Sequence, residues 1–538
     1  MRTIHAQRIS DGHTRAVPSH LTRPRLFLTF AAVLIARGAS AQAPAPVPRP
    51  PIVADGEQPD DAGASVGFAG LKLTGLDFNA ALSGLQPPAE AAQTQPVEGR
   101  PCDGCPPRRL GTAFLQATYI NVFYELANLI RGQATAHITP KTWWTNMERG
   151  WEWDLDDFAV NQIGHPYQGN NYYTAGRANG LSFWESSALT AFGSGTWEYF
   201  GETNQASLND FINTTLGGIA LGEMFHRAAW LVRNTRATGK SRMWNEVGAM
   251  AIDPLTGVNR FISGDASRVS DKPPDMVPSE LGTIASAGVI WRGSNTNEVE
   301  STTGPFIEVD GLYGDVDAVV RSRTPYDAFG VRLTFGGGSA LSEARVRGRL
   351  IGQPYRNGTL QLTVAQGYQY NANAAYRFGA QSVDVRLGGT KQMTQRTSLW
   401  ANAWGGITIL GAVDSIPLGG AVEEEPDPDA PQGVSTGPRF YDYGPGTNFG
   451  GYMSVKRGAI TFLTFGYEAH HLHVLDGVRA NHLLQRARVD LLLPLRGRLG
   501  IGVTGEYFDR RTYYQQPGVE RALFQFPQFR LALTWSAS

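Results

Sequence analysis

The sequence predicts an α+β chain, with an N-terminal α-helical domain followed by an antiparallel transmembrane β-barrel of about 12 strands. Three observations predict it. From Ser382 onward residues alternate with a period of two, Val383, Val385 and Leu387 on one face against Asp384 and Arg386 on the other, as in a sheet with lipid on one side and a lumen on the other. Between about Gly111 and Gly264 the apolar spacing instead becomes helical. The chain also carries 63 glycines and 10% aromatic residues, which suit tight turns and aromatic girdles.

In chain order, Arg2, Arg8, Arg15, Arg23 and Arg25 precede an apolar run from Leu26 to Ile35 and a small-x-small site at Ala39-Ser40-Ala41. This reads as a signal peptide over residues 1–41, with the mature chain starting near Gln42. The run is too short to cross a bilayer as a helix, and no Cys follows the cleavage site, against a lipoprotein. With 47 basic and 48 acidic residues, no nucleic-acid partner is expected. A mean hydropathy of -0.24 is compatible with a barrel, because only alternate residues face lipid.

Residues 42–110 form a Pro/Ala-rich linker, with Pro44, Pro46, Pro48, Pro50 and Pro51 close together. Near its end lie Cys102 and Cys105, the only cysteines. A local disulfide in an oxidising compartment is the expectation. A redox pair and a metal pair are its alternatives, and Pro106 stands where haem attachment needs His.

Helices are expected over Thr112 to Arg131, Gly180 to Glu202 and Ser207 to Arg233. On the last, Asp210, Asn213, Gly217, Leu221 and Met224 share one face and Glu223, His226, Arg227 and Trp230 the other. Demanding residues on both faces predict cover on both. Gly218 and Gly222 would admit another backbone closely.

The barrel, residues 281–538, reads as strands at Gly282–Arg292, Ile307–Asp310, Phe329–Phe335, Glu343–Leu350, Leu360–Tyr370, Val383–Leu387, Leu399–Ile409, Tyr452–Val455, Thr461–Tyr467, Arg486–Leu493, Leu499–Tyr507 and Phe529–Trp535. Connections after even-numbered strands should be short and those after odd-numbered strands long. The stretch Leu410 to Asn448, with Glu423, Glu424, Glu425, Asp427 and Asp429, is the long one; Gly336 to Ala340 is shorter than the scheme prefers. Arg345, Arg347, Arg349, Arg386, Arg486, Arg488 and Arg530 are expected to point inward, balanced by Glu343, Asp384, Asp490 and Glu506. His470, His471, His473 and His482 are expected at an external loop. A soluble β-sandwich is the alternative for this half.

The strings Gly164-His165-Pro166-Tyr167-Gln168-Gly169-Asn170-Asn171-Tyr172-Tyr173, Trp184-Glu185-Ser186, Trp197-Glu198-Tyr199-Phe200-Gly201-Glu202, Asn209-Asp210 and Gly222-Glu223 through His226-Arg227 resemble an uncharacterised family of bacterial envelope proteins. That family is known only as a domain of unknown function upstream of a barrel-like half. The resemblance covers about residues 112 to 265 and implies location rather than reaction. A fainter similarity, through Glu198, Asp210, Thr214 and Gly217, is to VanZ-like helical membrane proteins, but Thr214 stands where Asn is expected.

His165, Glu198 and Asp210 are the candidate catalytic residues, able to activate a water for hydrolysis of a lipid or glycan. Tyr167, Glu185, Glu202, Asn213, Glu223, His226 and Arg227 are candidate ligand-binding residues. Glu198 and Glu202 share a helix face and repel unless one is protonated or a cation lies between them. Against these stands a buried structural network. No His-Glu-x-x-His, Gly-x-Ser-x-Gly or phosphate loop occurs, and no cofactor or metal is expected.

The expected setting is the bacterial outer membrane, with the helical domain on the periplasmic side or in the lumen. The expected partners are outer-membrane lipid and an envelope lipid or glycan. Three roles stay open: a barrel with a binding or organising domain, a membrane-embedded hydrolase, and a channel or transporter with a helical plug.

Overall fold

A computed structural model describes residues 102, 104–294, 301–373, 376–414, 441–457, 460–515 and 521–537. The expected signal peptide, most of the linker and the acidic stretch around Glu423 to Asp429 lie outside these residues. Cys102 and Cys105 are joined by a disulfide.

The helical part comprises α1 (Leu110–Ile130), α2 (Pro140–Arg149), α3 (His165–Ala178), α4 (Phe183–Phe200), α5 (Leu208–Ile212), α6 (Gly218–Val232), α7 (Gly239–Ile252) and α8 (Pro254–Ser263). Thr139 and Ser182 open α2 and α4 with reciprocal capping boxes. Two short strands, β1 (Trp151–Glu152) and β2 (Ala206–Ser207), pair in parallel. Two π turns interrupt the helices, Val160–Gly164 before α3 and Asn213–Gly217 between α5 and α6. The expected helix from Ser207 to Arg233 is therefore two α segments joined by a π turn. Its Gly218 meets Gly169 of α3 so closely that a Cβ there would lie 2.5 Å from the Gly169 Cα.

The barrel contains β3 (Leu281–Arg292), β4 (Thr302–Tyr313), β5 (Phe329–Gly336), β6 (Ser339–Tyr355), β7 (Leu360–Ala372), β8 (Arg377–Gln392), β9 (Thr397–Asp414), β10 (Tyr441–Arg457), β11 (Ile460–His473), β12 (Ala480–Pro494), β13 (Leu499–Tyr514) and β14 (Ala522–Ala537). Neighbouring strands pair antiparallel, and β14 pairs with β3 to close the ring. All the expected strands are present in order, each longer than its alternating stretch. The connection 314–328 breaks the loop-length rule, for it follows an even-numbered strand yet is long. It runs beside β6, Ser322 pairing with Gly352 and Tyr326 N–H donating to Arg349 O at 2.6 Å, and so completes the wall beyond the short β5.

Glu343 of β6 accepts from Arg486 of β12 at 2.8 Å, and these strands stand opposite one another in the ring. Both side chains therefore occupy the lumen. Further pairs fill it, Arg345 with Glu468 at 2.7 Å, Arg488 with Glu308 at 2.9 Å and Arg486 with Glu506 at 2.7 Å. Toward the end where β14 begins, Tyr376, Phe508 and Phe526 stack across it. On the other side of the charged layer a cavity of about 290 Å³ is lined by Arg332, Arg347, Arg386, Asp310, Asp490 and Tyr452 among others. His470 and His482 also point inward and are buried, whereas His471 and His473 are exposed.

Since Glu343 and Arg345 face the lumen, the alternating Ala344 and Val346 face outward. Pairing carries that outer face to Val331 and Leu333, to Tyr368 and Tyr370, to Gly379 and Gln381, to Leu410 and Ala412, and to Tyr443. These residues are covered by the helical domain: Phe158, Phe183, Ile219, Ala220, Leu221 and Met224 join Ala344, Val346, Tyr368, Tyr370 and Tyr443 in one apolar core. The domain thus sits against the outside of the barrel wall. This corrects the expectation of helices in the lumen, and with it the helical plug: paired charges and aromatic rings already fill that space, while small and polar outward residues such as Ala344, Gly379 and Gln381 give the helices a surface to dock on. Elsewhere Val289, Ile307, Val385, Ile407, Phe465, Val489, Leu531 and Leu533 leave an exposed apolar outer belt.

Candidate functional site

The structure brings His165, Glu198 and Asp210 together where the helices meet the wall. One donor atom from each lies within 4.8 Å of the others, and all three side chains are buried. The π turn ending at Gly164 sets His165 at the start of α3, and Ser207 caps α5 through the Asp210 N–H at 3.2 Å. His165 Nε2 stands 3.5 Å from Asp210 Oδ2, and its Nδ1 lies 3.2 Å from Thr214 Oγ1 in the second π turn. Single π turns shift helical register and recur where helices position functional groups.

Asp154 completes the cluster. The β1–β2 pairing draws its segment alongside Asn209, so that Asp154 Oδ1 accepts from Asn209 Nδ2 at 2.7 Å and from Asn161 Nδ2 at 3.0 Å. Asn161 also donates to Tyr441 Oη at 2.7 Å, and Tyr441 donates to Asp156 O at 2.6 Å. The barrel wall is thereby part of the site. Glu198 accepts from Ser207 N–H at 3.0 Å through Oε2, while Oε1 is buried without a hydrogen-bond partner.

The electrostatics are lopsided. The strongest charges acting on Asp154, Asp156, Glu198, Glu202 and Asp210 are one another and His165. Burial, then Glu202, pushes the Glu198 carboxyl well above its ordinary value; burial, then Asp154, does the same to Asp210. Glu202 is pushed up to about 8 and Asp156 to about 7, by burial first and then by neighbouring carboxylates. Burial works against the Asp154 carboxylate too, but hydrogen bonds from Asp210, Asn209 and Asn161, with His165 nearby, hold it below the usual range. Burial keeps His165 low. Separated values among adjacent titratable groups are what acid–base chemistry and metal binding both draw on.

The other candidates lie elsewhere. Glu223 is held by Arg177, Arg227 and Tyr173, the last donating at 2.9 Å. Arg227 further donates to Pro325 O at 3.0 Å, tying α6 to the connection 314–328. His226 contacts Asp253 at 2.8 Å and accepts from Trp230. Glu185 closes the α4 capping box and pairs with Arg108 at 2.6 Å. Glu202 accepts from Trp197 Nε1 at 3.2 Å, Asn213 is buried in the π turn, and Tyr167 is half-buried on the side of Tyr124. Sequence reasoning missed Asp154, Asn161 and Tyr441, and quoted Asn209 only within the Asn209-Asp210 string. The acidic, aromatic run Trp151 to Asp157 was the one available signal.

Residues 150–255 match a family described as Domain of unknown function (DUF3943). The similarity to VanZ-like proteins is not sustained, and no described helix is long and apolar enough to cross a membrane. No curated protein matches the chain. Among solved structures, the NanC porin aligns at 7% identity and a TM-score of 0.24 over 46% of this chain and 98% of its own. The KdgM porin in complex with disordered oligogalacturonate aligns at 6% and 0.23 over 48% and 99%. An outer membrane channel from Pseudomonas putida F1 aligns at 11% and 0.21 over 47% and 94%.

Proposed function

We propose that this chain is an outer-membrane protein whose barrel anchors a helical domain at the lipid boundary, where that domain binds or organises an envelope lipid or glycan. The observation that carries this reading is the docking of the helices on the outside of a barrel whose lumen is filled by its own side chains. A filled lumen suits an anchor, and a domain on the outer wall meets whatever surrounds the barrel. Leu115, Tyr119, Val122, Leu126 and Ile130 lie exposed along one face of α1, and Trp184 and Phe192 are exposed on α4. Like the belt of the barrel, these are exposed apolar side chains, and acyl chains are their natural cover.

Fractionation tests the reading. Recovery in the outer membrane, a band whose mobility changes on boiling, and no steady conductance in planar bilayers are the expected results. A soluble periplasmic protein of unchanged mobility would overturn it.

The cavity favours a second reading, a gated path for anions. Arg332, Arg347 and Arg386 line it, and the layer of paired charges, then the aromatic layer as the last constriction, stand between it and the far end. On this reading Phe508→Ala with Phe526→Ala produces anion-selective conductance; silence from that variant, inserted and folded, rejects it.

A further inference from the structure

We propose that His165, Glu198 and Asp210 bind a divalent first-row transition-metal ion. This goes beyond the membrane reading and does not depend on it. The ligand atoms converge: His165 Nε2 and Asp210 Oδ2 are 3.5 Å apart, and two ligands of a tetrahedral ion with bonds near 2.1 Å stand about 3.4 Å from one another. Glu198 contributes the third donor within 4.8 Å.

Two further observations point to a ligand. Glu198 Oε1 is buried and has no hydrogen-bond partner, although a buried carboxylate oxygen is costly to leave unsatisfied. The imidazole is also oriented as a ligand. Nδ1 contacts Thr214 Oγ1 while Nε2 faces the Asp210 carboxylate, so in the tautomer protonated at Nδ1 the ring turns its Nε2 lone pair toward Asp210, the way metal-bound histidines are held by a partner on their other nitrogen. Asp154, fixed by Asn161 and Asn209, stands beside the site as added negative charge.

The donor set selects the ion. One imidazole with carboxylates and no thiolate suits Zn²⁺, Mn²⁺ or Fe²⁺, whereas Ca²⁺ and Mg²⁺ favour shells of oxygen alone. Two other buried acids of the domain, Glu223 and Glu246, by contrast meet arginines.

The test uses the full-length, untagged chain in detergent, stripped with EDTA, loaded with Zn²⁺ or Mn²⁺ and dialysed before elemental analysis. About one ion per chain is expected. Glu198→Gln and Asp210→Asn, which keep side-chain shape, should weaken binding at least roughly tenfold while retaining native circular dichroism, and His471→Ala with His473→Ala, on the exposed outer face, should leave it unchanged. No retained ion with either metal, full retention in both site variants, or loss in the His471/His473 variant overturns the proposal; the first two results leave a shared-proton network in its place. Pulsed electron paramagnetic resonance on the Mn²⁺-loaded wild type supplies a readout free of variants: a coupled imidazole nitrogen supports the site, and its absence rejects it.

Discussion

The Tyr368 hydroxyl, on the outer face of β7, donates a 2.6 Å hydrogen bond to the Gln162 carbonyl in the π turn that leads into His165. A strand residue thereby steadies the helical turn that aims the histidine. Tyr368→Phe should cost about 1 kcal/mol of the docked domain's stability and leave the barrel's heat-modifiable mobility unchanged. Hydrogen exchange would show faster exchange confined to the segment around residues 158–168.

A bulkier change on the same wall should act more strongly. A Cβ at Gly379 would lie 2.1 Å from Gln162 Oε1 and 2.9 Å from its Cγ, so Gly379→Val must push the buried Gln162 side chain out of its seat on β8 and loosen the turn that carries it. Limited proteolysis should then release the helical domain from a barrel that stays intact; a variant as resistant as wild type would contradict the docking geometry.

Removing Arg486 should be costly. It serves Glu343 and Glu506 in the lumen, and losing one partner of a buried ion pair costs about 3–5 kcal/mol. Arg486→Leu should lower the temperature at which the barrel band shifts on heating, while the double variant Arg486→Leu with Glu343→Gln recovers part of the loss.

In the metal-free protein, stability of the helical domain should fall as pH rises. Glu202 and Asp156 have folded values raised to about 8 and about 7 from ordinary values of 4.5 and 3.8. The folded state therefore holds protons that the unfolded chain releases, and for these two groups the loss runs from roughly pH 4 to 8. Glu202→Gln should flatten the upper part of that slope in denaturant titrations followed by tryptophan fluorescence. Stability that rises over the same window would refute the assignment.

Glu185 should behave as a cap. Glu185→Ala should cost about 0.5–2 kcal/mol through the α4 capping box and leave metal retention and lipid association as in wild type.

The barrel was legible because strand alternation is local: Val383 to Leu387 announce β8 without reference to any other segment. The placement of the helices was not legible, because Val346 under a helix and Val289 on the bare belt follow the same alternation. A faint trace existed in Gln366 and Gln381, outward polar residues that lipid would not cover; Gln366 instead donates to Leu216 O at 2.9 Å. His165, Glu198 and Asp210 stood out as titratable types among apolar neighbours. Asp154 did not, because it arrives through a parallel pairing between segments far apart in the chain, a non-local contact that no periodicity encodes.

The docking surface imposes an order on biogenesis. The helices emerge first from the N-terminal side, yet the wall they cover is built from strands as late as β10. Before that wall exists, Phe158, Ile219, Leu221 and Met224 have no native cover. The helical domain therefore completes its core only once the sheet is laid down, so assembly runs against the direction of synthesis and meets the entropic cost of long-range closure twice, once for the ring and once for the seating of the domain upon it.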